Sequence, residues 1–263
     1  MGWMKQSFLA LLLTSSVVLL RPLAAAEATK ETQTVAAELR TTVGQNLDPE
    51  NPQGSLTFEP LLQYRTGEAH YLQFYTAVNR PFKSYENFSM PLTMLKFNHS
   101  LKLWSELETV AAASLSALNL HRWSTDGAIN RGTLSLTLSK RLTDRFLIQA
   151  TVAAFGQLNE YRQTTSGNTL PGAGFTERLT LVYEWKKLTL DAHFAVSQSL
   201  GDNWSNSYRF YQQASYPVTD TVTAGIAHEL LGSVISDTTG FYQPLQFFDS
   251  RDSRLSAFVT VAL

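Results

Sequence analysis

The residues that could do covalent chemistry are few and widely spaced. The chain of 263 residues has five His and no Cys, so nucleophilic hydrolysis would need a Ser, a His base and a polar side chain orienting that base within hydrogen-bond reach. His99 and Ser100 are sequence neighbours, but adjacent residues of an extended strand point to opposite faces and do not form a dyad. Asp191 and His193 share a face at i, i+2, the spacing of a water-activating pair. They lie near a tight turn, and a polar pair on a wetted wall has the same spacing. No Cys or His cluster has metal-ligand spacing, and no Gly-rich phosphate loop occurs. Asn87-Phe-Ser, Asn98-His-Ser and Asn203-Trp-Ser match glycosylation triplets, a pattern short enough to arise by chance. The side chains nominate no catalytic, cofactor or metal site, so function has to be sought in the elements that position the charged residues.

Composition narrows those elements. The formal net charge is −1, with 44% hydrophobic, 11% aromatic and only 16% charged residues, against roughly 25% charged in soluble domains. No apolar run long enough for a spanning helix follows the first thirty positions, which excludes a polytopic helical membrane protein. Without a basic cluster, nucleic acid is not an expected partner.

The N-terminus reads as a targeting signal. Met1 to Lys5 carries one positive charge, Phe8 to Leu20 is apolar apart from Thr14, Ser15 and Ser16, and Ala24-Ala25-Ala26 supplies small residues for cleavage. The apolar stretch is shorter than the roughly 20 residues of a spanning helix. Two regions are expected: a signal peptide at 1–26 and a structural unit at 27–263. Removing the first region takes Lys5 and Arg21 with it and leaves 19 basic against 22 acidic residues. The absence of cysteine suits an oxidising compartment.

The rest of the chain alternates with period two. Leu255, Ala257, Val259, Val261 and Leu263 fall on one face, and Leu134, Leu136 and Leu138 oppose Thr133, Ser135 and Thr137. Twelve strands are predicted, at 33–43, 55–65, 69–80, 92–103, 107–119, 132–142, 146–157, 176–186, 188–199, 207–217, 221–232 and 253–263. Short and long connections alternate strictly between them, which in an up-and-down meander puts every tight turn at one end and every long loop at the other.

On the more apolar face the only charges are Lys140 and Glu177. The opposite face carries Glu38, Arg40, Glu59, Arg65, Arg80, Lys96, Lys102, Glu108, Arg141, Arg178, Glu184, Lys186, Asp191, Arg209, Glu229 and Arg254. A soluble sandwich also alternates. Two features favour a membrane instead: strands of about the 9 to 11 residues that cross hydrocarbon at a tilt, and an aromatic belt beside the tight turns at Tyr64, Tyr71, Trp104, Phe146, Trp185 and Tyr216.

With its leader, loop asymmetry and a strand at the very end, the chain resembles Gram-negative outer-membrane β-barrel proteins over about residues 27 to 263. The resemblance implies an all-β, antiparallel up-and-down transmembrane barrel of about 12 strands in the bacterial outer membrane, with membrane lipid and the barrel-assembly machinery as partners. Its closing strand ends in Leu263 where the family usually has an aromatic residue. Pro60 within a strand, and His99, Gln212 and His228 on the apolar face, also depart from the pattern.

Barrels of this kind include solute pores, a phospholipase and secretion translocators. The expected function is a porin-like passive channel for small hydrophilic solutes with weak charge selectivity and no cofactor. The alternatives are a structural or adhesive barrel with a closed lumen and a membrane-embedded hydrolase. The charged face would line the lumen, and Phe241, Tyr242, Phe247 and Phe248, in a loop too apolar for full solvation, are candidates for a constriction at the mouth.

Overall fold

The computed structural model describes residues 34–48, 50, 53–67, 69–82, 89–104, 107–118, 128–159, 172–200, 205–233, 248–249 and 252–263. They form β1 (Thr34–Asn46), β2 (Gly54–Arg65), β3 (His70–Pro81), β4 (Ser89–Trp104), β5 (Leu107–Leu118), β6 (Ala128–Thr143), β7 (Phe146–Asn159), β8 (Ala173–Trp185), β9 (Leu188–Leu200), β10 (Ser205–Pro217), β11 (Val222–Ser233) and β12 (Ser253–Ala262). Each strand pairs antiparallel with its sequence neighbours, and β12 returns to β1 to close the barrel. The seam runs from Glu38↔Ala262 to Asn46↔Arg254. The amide of Leu263 extends it by donating to the Ala37 carbonyl at 2.9 Å. Closure leaves no sheet edge, the condition for a sheet to sit in hydrocarbon.

All twelve predicted strands are present. Several run further at their loop ends, as β1 does to Asn46 and β6 does from Ala128. Beyond the apolar band both faces meet water, so the alternation that marks a strand fades while the ladder continues. At the other end the turns are short. Gly67 takes a φ of 84° and Lys186 one of 57°, the left-handed region that a tight reversal requires. Pro60 is accommodated locally: β2 pairs with β3 at Phe58↔Val78 and again at Leu61↔Tyr75, with Glu59 and Pro60 left out of the register between them.

Residue parity follows the expected sides. Leu134, Leu136, Val152, Leu179 and Val259 are among the large apolar residues exposed on the outer wall. The inner wall is mostly polar but also carries a buried apolar cluster of Tyr75, Ala77 and Leu92 with Leu61 and Met94 packed against it. Tyr64, Phe146, Trp185 and Tyr216 share the outer parity near the tight turns, as predicted. Tyr71 does not. It pairs with the inward-facing Arg65 and Asn98 and is buried, so it belongs to the lumen and not to the belt.

Candidate functional site

The site is the inner wall at mid-height, where side chains from strands far apart in sequence meet. On β1, Arg40 lies directly opposite Glu59 of β2, with its Nε 3.8 Å from the carboxylate. The Tyr75 hydroxyl of β3 donates to the other oxygen of Glu59 at 2.6 Å. In the other direction Arg40 crosses β12 and β11 to donate to the Tyr211 hydroxyl of β10 at 3.2 Å. A contact over two intervening strands is possible only on the concave side of the wall.

Two residues make that reach possible. Gly225 lies opposite Phe258 in the ladder and has no side chain to lift the ring, with which a Cβ at that position would collide. The Arg40 guanidinium rests on the same ring, 3.8 Å from its centroid, a cation–π contact that holds the arginine across the wall. Tyr211 then donates to Gln213 at 2.8 Å and stacks on His193 at 4.8 Å.

A second ion pair, Arg209 Nε to Glu229 at 2.6 Å, lies on the β10–β11 wall with both side chains nearly buried. Removing either partner would leave a buried charge. Lys96 on β4 and Arg178 on β8 feel each other across the lumen as like charges, and Arg178 also interacts with Arg209 and Asp191. Below this belt Asn98, Gln73 and Gln63 form an amide ladder, Asn98 donating to Gln73 at 3.2 Å and Gln73 to Gln63 at 3.3 Å. Nearer the long loops Arg131 donates to Gln157 at 3.1 Å and stacks on Phe155.

Of the residues predicted to line the lumen, Glu38, Arg40, Glu59, Arg65, Lys96, Glu108, Glu184, Asp191, Arg209, Glu229 and Arg254 share the inward parity. Arg80 does not: it pairs with Leu56, itself opposite the exposed Val43, and so faces outward at the loop end. The side chain of Lys102 lies outside the described residues, as do Phe241, Tyr242 and Phe247. Phe248 is described and corrects the constriction expected of it. It stacks on His228 at 5.8 Å, a residue with the outward parity of the exposed Ile226.

Asp191 and His193 share the inner wall, yet Asp191 Oδ1 and both ring nitrogens of His193 have no protein partner, so the pair is not joined as a hydrolytic dyad. His99 is on the outer wall opposite His70, with their Nδ1 atoms 3.0 Å apart. No group of three or more His, Cys, Asp or Glu able to hold a metal occurs among the described residues.

Sequence reasoning misses Arg131, because the predicted strand begins one residue after it. It also misses Tyr75, Tyr211 and Phe258, which in the sequence pattern alone are apolar or aromatic filler. Counting parity back from Thr133 would place Arg131 inside. Nothing local marks the three rings, whose role depends on residues of other strands.

No protein-family model matches the chain, and no curated protein matches it in sequence. Solved structures do. The COG4313 outer membrane channel from Pseudomonas putida F1 superposes with a TM-score of 0.59 at 10% identity, covering 91% of this chain and 98% of that one. The NanC porin gives 0.55 at 14% identity, with 87% and 99% covered. The KdgM porin gives 0.54 at 12% identity, with 85% and 98% covered. The likeness is one of fold: a closed 12-strand antiparallel barrel of the kind built by outer-membrane porins and channels.

Proposed function

We propose that the chain is a passive channel of the bacterial outer membrane for small hydrophilic solutes, with a weak preference for anions. The observation that carries this reading is a closed barrel with an apolar outer wall and a lumen crossed at mid-height by charges of both signs. Basic residues outnumber acidic ones there, and the like-charged Lys96 and Arg178 favour a passing carboxylate or phosphate. Because Glu59, Asp191 and Glu229 lie among them, the selectivity is mild compared with that of a ring of one sign. An acidic saccharide is one solute class to test, since a structure of the KdgM porin holds oligogalacturonate. The first 26 residues act as a cleaved leader, and assembly depends on the barrel-assembly machinery.

A specific observation favours a second reading. Asn98, Thr180, Val182, Asp191 and His193 are each no more than 3% exposed on the inner wall, so the lumen is tightly filled at that level. If the filling is permanent, the barrel is structural or adhesive.

Planar-bilayer recording separates the two. A channel gives unitary conductance steps and, in a salt gradient, a reversal potential displaced modestly toward that of the anion. Replacing Lys96 by Glu should shift it toward the cation. Intact bilayers with no steps, together with liposomes that do not swell in sugars or amino acids, would leave only the closed barrel. Loss of residues 240 to 248 should leave conductance unchanged if Phe248 stays on the outer wall.

A further inference from the structure

We propose that the outer wall carries an acyl-ester hydrolysing site, with Ser253 as nucleophile, His228 as general base and Gln212 positioning the imidazole. The site faces the bilayer side of the wall and does not depend on whether the lumen conducts. Ser253 opens β12, His228 lies on β11 and Gln212 on β10, so three adjacent strands bring together residues 41 positions apart. The Ser253 hydroxyl is 3.1 Å from His228 Nε2, and the Gln212 carboxamide nitrogen is 3.2 Å from His228 Nδ1. This is the order nucleophile, base, orienter that serine hydrolases use on unrelated folds. A half-turn of the carboxamide exchanges its nitrogen and oxygen. It then accepts from Nδ1–H and leaves Nε2 free to take the serine proton.

The surroundings suit an ester with a long acyl chain. A groove of about 720 Å³ runs along the outer wall from Gln212 and His228 past Leu181, Leu190, Ile226 and Leu255. Such a groove accepts a hydrocarbon chain with its carboxyl end at the histidine. At about 3.4 Å per residue and a strand tilt of about 35–45°, Ser253, which lies opposite Leu230, stands about 20 Å above the tight-turn end, in the upper part of an apolar band about 25 Å tall.

Polar groups are costly on a lipid-facing wall, and here they are joined to each other. Ser253 is fully buried. The Asp249 amide donates to its hydroxyl at 3.2 Å, and Phe248 covers the imidazole. Phe248 is itself 63% exposed. Moving the Phe248 ring aside admits the ester, and the Asp249 amide, which points at Ser253 Oγ, is then a donor within reach of the carbonyl oxygen that gains charge.

The reaction balances without a redox partner. Ser253 Oγ bonds to the ester carbonyl carbon while its proton passes to His228 Nε2. The bond from that carbon to the alcohol oxygen breaks, and the leaving alcohol takes the proton from His228. Water, deprotonated by His228, then attacks the acyl-serine, which releases a fatty acid and restores the hydroxyl.

The test uses the full folded barrel in octyl glucoside micelles, with a fluorophosphonate probe and p-nitrophenyl palmitate. Mass spectrometry should find one adduct, on Ser253. Hydrolysis should fall at least about a hundredfold in Ser253→Ala and His228→Ala. Gln212→Ala should lower kcat about tenfold with little change in KM, and Gln212→Asn should restore part of it. Phe248→Ala should speed labelling. Heat-shifted mobility on a gel verifies folding in each variant. If Ser253→Ala does not fold, Ser253→Cys replaces it: alkylation of its thiol by iodoacetamide should slow when His228 is changed to Gln. A folded protein with no adduct on Ser253, hydrolysis equal in wild type and Ser253→Ala, or alkylation of the Ser253→Cys variant that is indifferent to His228 would each overturn the site. Bilayer conductance of the same variants reports separately on the channel.

Discussion

Gly225 and Gly156 show how much a single hydrogen in place of a methyl group decides in a barrel wall. At Gly225 the missing Cβ leaves room for the Phe258 ring and for the Ala214 carbonyl, both of which it would strike. Phe258 in turn carries Arg40. Gly225→Ala should therefore destabilise the barrel by about 1–3 kcal/mol and, by displacing Arg40 from Tyr211, change the unitary conductance. Gly156 has nothing within 4 Å of the place a methyl group would take, so Gly156→Ala should be neutral or stabilise by up to about 1 kcal/mol, because it removes backbone freedom from the unfolded chain. Urea unfolding midpoints of the two variants in vesicles check both; equal midpoints would remove the shelf role of Phe258. Little at this scale is legible in the sequence. Residue types and parity place Arg40, Glu59 and Arg209 inside, but the meeting of Arg40 with Tyr211, and of Ser253 with His228 and Gln212, needs the register between strands. Arg80 reads as inward in the sequence because, near the loop end, polarity no longer distinguishes the two faces.

Alternation is the legible feature of the elements, and it works because lipid imposes a one-sided rule. A strand residue facing hydrocarbon is apolar with few exceptions, whereas its inward neighbours are free to vary, so period two survives even where β5 and residues 133–139 of β6 carry little but Ala, Ser, Thr and Leu. The loop ends extend beyond expectation where that rule stops. Pro60 departs from the strand pattern, and the ladder opens at that point, since proline has no N–H to give. Leu136 is 41% exposed on the outer wall, and Ser135 pairs with Ala112 and Ala153 on the inner side. A lysine at Leu136 should cost about 2–4 kcal/mol in a bilayer, while one at Ser135 should cost less than about 1 kcal/mol because it reaches the polar lumen. Equal costs in vesicle-reconstituted protein would undo the assignment of outer and inner wall.

For the molecule as a whole, the low charge follows from geometry: half of every strand meets hydrocarbon, so charged residues are confined largely to the lumen, the turns and the loops. Closure is what makes that division possible, because an open sheet would present unpaired N–H and C=O groups to lipid. The closing pair is also the one that no short-range pattern specifies, since β1 and β12 lie at opposite ends of the chain. The absence of cysteine makes this seam open to a background-free test. Thr41 and Val259 are opposite one another across it, with the outward parity of the exposed Val43, and directly opposed residues of antiparallel strands lie within the separation a disulfide needs. A Thr41→Cys, Val259→Cys double variant should form an intramolecular bond under mild oxidation, which keeps the unboiled protein compact on a gel and lowers its mass by two hydrogens. Thr41→Cys with Leu136→Cys, placed on strands that do not touch, should give only dimers. If the seam pair also gives only dimers, β1 and β12 do not meet within one chain, and a barrel closed by a single polypeptide is ruled out.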